Sequence, residues 1–407
     1  MTYSHQDLNR IRSLAEQVLA IARDEPRMAS IKKRWADVNA LRKPDRAPVW
    51  CRPVGCWKEI ITDNMLKCTD PGLRQIEYDF LQVLHKRTID DDHPVEGYFA
   101  LNAVFDCQPK NIWGMDIRHH TSDTEGGAWA YDPPLREIGN LARLQVPVFT
   151  YNAEKTRTRQ AQIEDALGGV LPVRIVAGPL LHVNLVSDAA ELHGLEQIMI
   201  NMLDAPDFIH ALMAHLRDAV LSALDQLEAT GLITPNNTGP MTGSDPIGTT
   251  GANGKLTCHN LWSMTDSQEF DQVSPALWEE FCLNYQKPIL ARFGLTAYGC
   301  CENLTRKIDG VLSIPNLRIF TCSAWTNLAA VQEKLGRKYC IMWRQKASDV
   351  VFPADAKEIR NNLMNGVKQL QGHYYQIVLR ELETLAGHPN RLHEWTKYAK
   401  EAAEIYA

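Results

Sequence analysis

The feature that most constrains this chain is an alternation. Short apolar runs, rich in β-branched and aromatic residues, take turns with longer stretches whose apolar residues recur every three or four positions. The short runs have the pattern of buried strands and the longer stretches that of helices. Regular exchange between the two predicts parallel strands joined by helical crossovers. Strand runs lie at 47–52, 97–105, 172–177, 232–234, 295–300, 317–322, 338–343 and 374–380. The number of runs and their spacing predict an α/β fold, a (β/α)8 TIM barrel over 46–407, with a helical N-terminal extension over 1–45.

Helix signals agree with that plan. In the extension Leu8, Ile11, Leu14, Val18 and Ile21 make one apolar stripe, and a second helix over about 28–42 stops at Lys43 and Pro44. A third covers 71–87. A long stripe from Pro206 stops at Gly231, and Ser274 with Pro275 opens a helix to Gly294, kinked at Pro288. No internal repeat or linker divides the chain.

The 407 residues are 45% hydrophobic and 23% charged, as in ordinary globular proteins. A formal net charge of -6 argues against nucleic acid or an anionic membrane as partner. No apolar run is long enough to span a bilayer. The opening MTYSHQDLNRIRSLAEQ lacks the apolar region of a signal peptide, so a cytoplasmic, reducing setting is expected. There the ten cysteines are buried, catalytic or metal-binding rather than a disulfide framework. The acidic cluster Asp90, Asp91 and Asp92 is either a solvated turn or a hard-cation site. Residues 235–254 hold several glycines without phosphate-loop spacing, which suggests a mobile lid.

Active groups of a barrel sit at the C-terminal ends of its strands. Those ends carry Arg52, Asn236 or Asn237, Trp325, Arg344 with Gln345, and Glu381 with Glu383. The richest end is LTAYGCCEN at 295–303. Continued strand alternation would point Tyr298, Cys300 and Glu302 one way and Cys301 the other. Thiols and a carboxylate there, with Glu381 from the last strand, have the donor chemistry of an open zinc site. Equally, the cysteines are small core residues and Glu302 caps the next helix. A catalytic cysteine would need a base, and His259 is the nearest candidate in sequence.

Several stretches carry a family resemblance. APVWCRPVG is similar to the first-strand motif of the uroporphyrinogen decarboxylase superfamily. LWSMTDSQEFDQVSP, YGCCENLTRKIDGVLSIPNLR and ETLAGHPNRLHEW resemble a branch of it that includes corrinoid-dependent methyltransferases. The resemblance implies a barrel that moves a methyl group from a methoxylated small molecule to a cobalt corrinoid (cobalamin), free or carried on a partner protein. In the better-known methyltransferases a His-x-Cys and a later Cys hold zinc. Here Tyr298, Gly299 and Cys300 stand in the first place and Glu381 in the second, which implies an oxygen-richer site suited to a methyl ether. Its zinc ligands would come from Cys300, Cys301, Glu302, Glu381 and His259.

On this reading Glu302, Tyr298 and Arg52 are catalytic, and Trp57, Trp262 and Asn237 meet the substrate. Trp113 and Trp129 are further aromatic candidates. The expected partners are a small-molecule methyl donor and a corrinoid protein, with a homodimer open as the assembly. Cys56 replaces the second arginine of the decarboxylases' first-strand motif, which argues against porphyrinogen decarboxylation. Two alternatives stay open: a decarboxylase or lyase anchoring a small carboxylate on Arg52, and a non-catalytic corrinoid- or tetrapyrrole-binding module.

Overall fold

A computed structural model describes residues 3–121, 129–136, 138–244, 247, 250 and 254–407. Eight strands lie in parallel pairings: β1 (Val49–Pro53), β2 (Phe99–Asn102), β3 (Val173–Val176), β4 (Trp262–Thr265), β5 (Leu295–Tyr298), β6 (Leu317–Cys322), β7 (Cys340–Gln345) and β8 (Tyr374–Leu382). Six of them form one all-parallel sheet in the order β1-β8-β7-β6-β5-β4, curled into a half-barrel. β2 and β3 pair separately. Two antiparallel hairpins, Phe105–Gln108 with Val148–Tyr151 and Arg118–Thr121 with Trp129–Asp132, elaborate the connection after β2.

Most expected strands fall in place within a residue or two. One differs in kind. Residues 232–234 form no strand, and β4, which begins at Trp262, takes a place in the sheet. The 232–236 segment still bridges β3 and β4: Thr234 N donates to Ala177 O at 3.0 Å, and Trp262 N donates to Asn236 Oδ1 at 2.8 Å. Its backbone is thus satisfied partly by a side chain instead of a ladder.

The sheet has two apolar faces, as a parallel sheet covered on both sides should. Trp50, Trp262, Ala297, Ile319, Cys340, Met342 and Val378 share the concave face with Trp35 and Val38 of the helix Glu25–Asn39. Val49, Tyr298, Phe320, Ile341, Ile377 and Leu379 face the outer helices, among them Arg391–Ile405 with Leu392 and Trp395. Full burial contributes about 1.5–3 kcal/mol for each large apolar side chain.

The N-terminal helices stop the bottom of the half-barrel. Asn39 Nδ2 donates to Met241 O at 2.9 Å, and its Oδ1 accepts from Gln376 Nε2 at 2.8 Å. Of the acidic cluster, Asp90 is half exposed at the helix end, while Asp91 and Asp92 are buried in ion pairs with the protein's own cations. Asp92 accepts from Arg34 Nη1 at 2.7 Å, Arg46 Nη1 at 2.7 Å and Val49 N at 2.8 Å, and Asp91 pairs with Lys86. These buried ion pairs tie the helices to β1.

All ten cysteines are free thiols. No helix among the described residues is long and apolar enough to cross a membrane. The side chain of Trp129, and part of the expected lid, lie outside the described residues.

Candidate active site

The loop after β5 does not continue the strand. Gly299 has φ +110, where a side chain would be strained, and an added Cβ would come within 2.8 Å of Leu304 and 3.0 Å of Thr321. Alternation therefore ends at Tyr298. The expected split between Cys300 and Cys301 is lost with it, and both thiols sit together with their sulfurs 3.6 Å apart.

The partner from β8 arrives by a second irregularity. Cys51 lies opposite Leu379 and Pro53 opposite Leu382, so β8 carries one extra residue between those pairs. Glu381 sits in that bulge with φ +60. A bulge re-aims a side chain that alternation would send to the other face. Glu381 Oε1 accepts from Cys301 Sγ at 3.5 Å and from Arg344 Nη1 at 3.2 Å. Arg344 Nη1 also donates to Cys300 O at 2.8 Å and lies 3.6 Å from Cys300 Sγ. Two thiols, a carboxylate and a guanidinium thus meet at the C-terminal edge of β5, β7 and β8.

The two thiols are driven apart in acidity. Cys300 is lowered, first by the hydrogen bond from Cys301 and then by the Arg344 guanidinium, against its burial. Cys301 is raised by that same bond, by burial and by the nearby negative charges. Negative charge is thus favoured on Cys300 over Cys301.

Glu302 stands apart from this cluster. It is 1% exposed, and its oxygens accept from Ser267 N at 3.0 Å and Cys300 N at 2.8 Å. It braces the loops after β4 and β5. Burial, then the charge of Asp266, raise its pKa to about 7. Tyr298 is fully buried on the outer face, where its hydroxyl donates to Gln286 Oε1 at 3.0 Å. Neither side chain has the access that a group meeting substrate needs.

The remaining candidates scatter. His259 is exposed in a short turn before β4, at the opposite end of the sheet from the thiols. Trp262 is buried at the start of β4, with Nε1 donating to Ser244 Oγ at 3.1 Å. Asn237 donates to Ser244 O at 3.2 Å and lines a cleft with Lys32 and Trp35 of the N-terminal helices. Trp57 packs edge-on to His85 at 5.7 Å. It shares a cavity of about 520 Å³ with Trp50, Arg52 and His93, between β1 and the helix Pro71–Ile89.

No family model matches the sequence, and no curated protein does.

Zinc can be weighed against the donors themselves. Ligands of one tetrahedral zinc lie roughly 3.5–3.8 Å apart, and both spacings, 3.6 Å between the sulfurs and 3.5 Å from Cys301 to Glu381, are close to that. Yet the guanidinium of Arg344 already faces Cys300 and Glu381. Among the described residues no group of three or more His, Cys, Asp or Glu side chains is set to hold a metal. The positive charge beside these donors is an arginine, so no step below is routed through zinc.

Arg380 is the residue that strand counting passed over. It was the last residue of an expected strand with nothing to mark it. Its Nε lies 3.9 Å from Glu381 Oε1. The signal was available in the alternation of β8, where Gln376, Val378 and Arg380 share one face.

Proposed function

We propose that this chain is a (β/α)8-barrel methyltransferase of the O-demethylase type, moving a methyl group from a methoxylated small molecule to a cobalt corrinoid. The observation that carries this is the meeting of Cys300, Cys301, Glu381 and Arg344 at one edge of the parallel sheet. Closure of the barrel would run through β2 and β3, with the 232–236 segment bridging to β4.

Loss of a methyl group from an ether leaves an oxygen that needs a proton or a positive charge. Cys301, beside Glu381, would give its proton to that oxygen and recover one from solvent as the demethylated product leaves. Glu381 orients the thiol, and Arg344 takes up the negative charge that develops. Glu302 acts through the backbone, holding the amide of Cys300 in place. The corrinoid supplies, when bound, the cobalt nucleophile that accepts the methyl group. Exposed Trp325 and Phe352, on the loops after β6 and β7, give the rim apolar surface for a corrinoid protein.

Methyl-cobalamin formation from a panel of methoxylated donors tests the reading. Turnover by zinc-depleted protein is the expected result, and no methyl-cobalamin from any donor would remove the proposal. A second reading, a decarboxylase or lyase acting on a small carboxylate, is favoured by Arg52 at the end of β1. Carbon dioxide release separates the two.

A further inference from the structure

We propose that Cys300 and Cys301 are a redox modification site, at which hydrogen peroxide oxidises the two neighbouring thiols to a reversible disulfide. The modification rests on the geometry of the thiols. Its consequence, loss of turnover while the bond stands, rests on the methyl-transfer reading above.

Both thiols are half-buried, whereas every other cysteine except Cys107 is buried. A small oxidant therefore reaches the pair first. The sulfurs are 3.6 Å apart in the loop that follows Gly299, outside any helix or strand. Side-chain rotation and a small loop adjustment can close that gap to the roughly 2.05 Å of a disulfide. The charges beside the two sulfurs differ. Arg344 Nη1 lies 3.6 Å from Cys300 Sγ, and Glu381 Oε1 lies 3.5 Å from Cys301 Sγ. A guanidinium favours a thiolate and a carboxylate disfavours one. Cys300 is thus the attacking sulfur. Cys301 is the resolving one, with Glu381 placed to take its proton.

Cys300, as thiolate, attacks one oxygen of hydrogen peroxide. The S–O bond forms, the O–O bond breaks, and the departing hydroxide takes a proton from solvent and leaves as water. Cys300 is then a sulfenic acid, which condenses with a neighbouring thiol. Cys301 passes its proton to Glu381, and its sulfur attacks that of Cys300. The S–S bond forms, the S–O bond breaks, and the hydroxide leaves as water with the proton from Glu381. The thiols have lost two electrons and two protons, and peroxide has become two waters. The resulting ring is strained, because adjacent residues hold their Cα atoms about 3.8 Å apart, inside the roughly 4.4–6.8 Å usual for disulfides. A strained disulfide is readily reduced, so a dithiol restores the pair. While the bond stands, Cys301 has no proton to give to the ether oxygen.

The test treats the full chain, kept free of air, with one equivalent of hydrogen peroxide, then alkylates it and cuts it with trypsin. Residues 293–306, FGLTAYGCCENLTR, form one peptide that holds both thiols and no other cysteine. The expected product is that peptide two hydrogens lighter and unalkylated, returning to the alkylated form when dithiothreitol is added first. Cys301→Ser should stop the chemistry at a Cys300 sulfenic acid that dimedone labels, and Cys300→Ser should leave Cys301 alkylated. Arg344→Gln should slow the oxidation by about tenfold or more. Both thiols left unmodified, Cys300 carried to sulfinic acid without a disulfide, dimedone labelling of Cys301 in preference to Cys300, or faster oxidation of Cys107 than of the pair would each overturn the proposal. So would undiminished methyl-cobalamin formation by the disulfide form. Methyl-cobalamin absent from reduced and oxidised protein alike would remove the reaction and leave the disulfide standing.

Discussion

Arg344 and Glu381 meet with 3.2 Å between Nη1 and Oε1, and they meet because β8 holds one residue more than its neighbour. Without the bulge, alternation would point Glu381 to the opposite face of the sheet. Glu381→Gln keeps the shape and removes the charge. Breaking a fully buried pair costs about 3–5 kcal/mol, but the Glu381 side chain is 38% exposed, so about 1–2 kcal/mol is expected after solvent screening. Urea unfolding reads it.

Cys301→Ala removes the proposed proton donor while leaving Cys300 and Arg344 in place. Methyl-cobalamin formation should fall by about 100-fold or more, within the usual range for a general acid. Cys300→Ala should cost less. Equal losses in the two variants would assign the proton to neither sulfur.

Glu302 makes stability depend on pH in a defined direction. Its folded pKa, about 7, lies above the 4.5 of a free glutamate. A raised carboxyl favours the folded state when protonated, so its stabilisation is fully present below about 4.5 and lost as pH rises through about 7. Glu302→Gln cannot titrate. The Tm of the native protein should therefore fall relative to that of the variant as pH rises from about 5 to 8. A constant difference across that window would show that the backbone amides of Ser267 and Cys300 hold the group ionised throughout.

Asp92 carries the junction between the N-terminal helices and β1. It accepts from Arg34, Arg46 and the Val49 amide, all at 2.9 Å or less. Asp92→Ala strands two buried guanidiniums. A loss of about 3–5 kcal/mol is expected by denaturant titration. Asp90→Ala, whose partners Arg27 and Lys400 are partly solvated, should cost under about 1 kcal/mol.

The sheet was legible because its signal is local. Leu317–Cys322 is recovered to the residue, since an apolar run between helical stripes has few other ways to bury itself. The missed strand, Trp262–Thr265, contains Ser263 and Thr265, which are buried although polar. A strand whose polar groups are satisfied by tertiary partners carries no apolar run to find. Thr265 Oγ1 donating to Asn184 Oδ1 at 3.0 Å is such a partner. The acidic cluster misled for a related reason. Nothing near Asp92 in the chain shows that Arg34, 58 residues away, will bury it.

The sequence by itself determined the parallel α/β character, the N-terminal helices, and the placing of Cys300, Cys301 and Glu381 near strand ends, because strand periodicity and residue chemistry are properties of neighbours along the chain. Only the tertiary structure decided which side chains meet. Gly299 at φ +110 and the bulge at Glu381 each break the two-residue alternation at the end of a strand. One such break brings both thiols to a single side, turning the site away from Tyr298 and Glu302. The other brings Glu381 over to Arg344. Register and bulges are settled by pairing with distant strands, so no pattern along β5 or β8 alone could specify them.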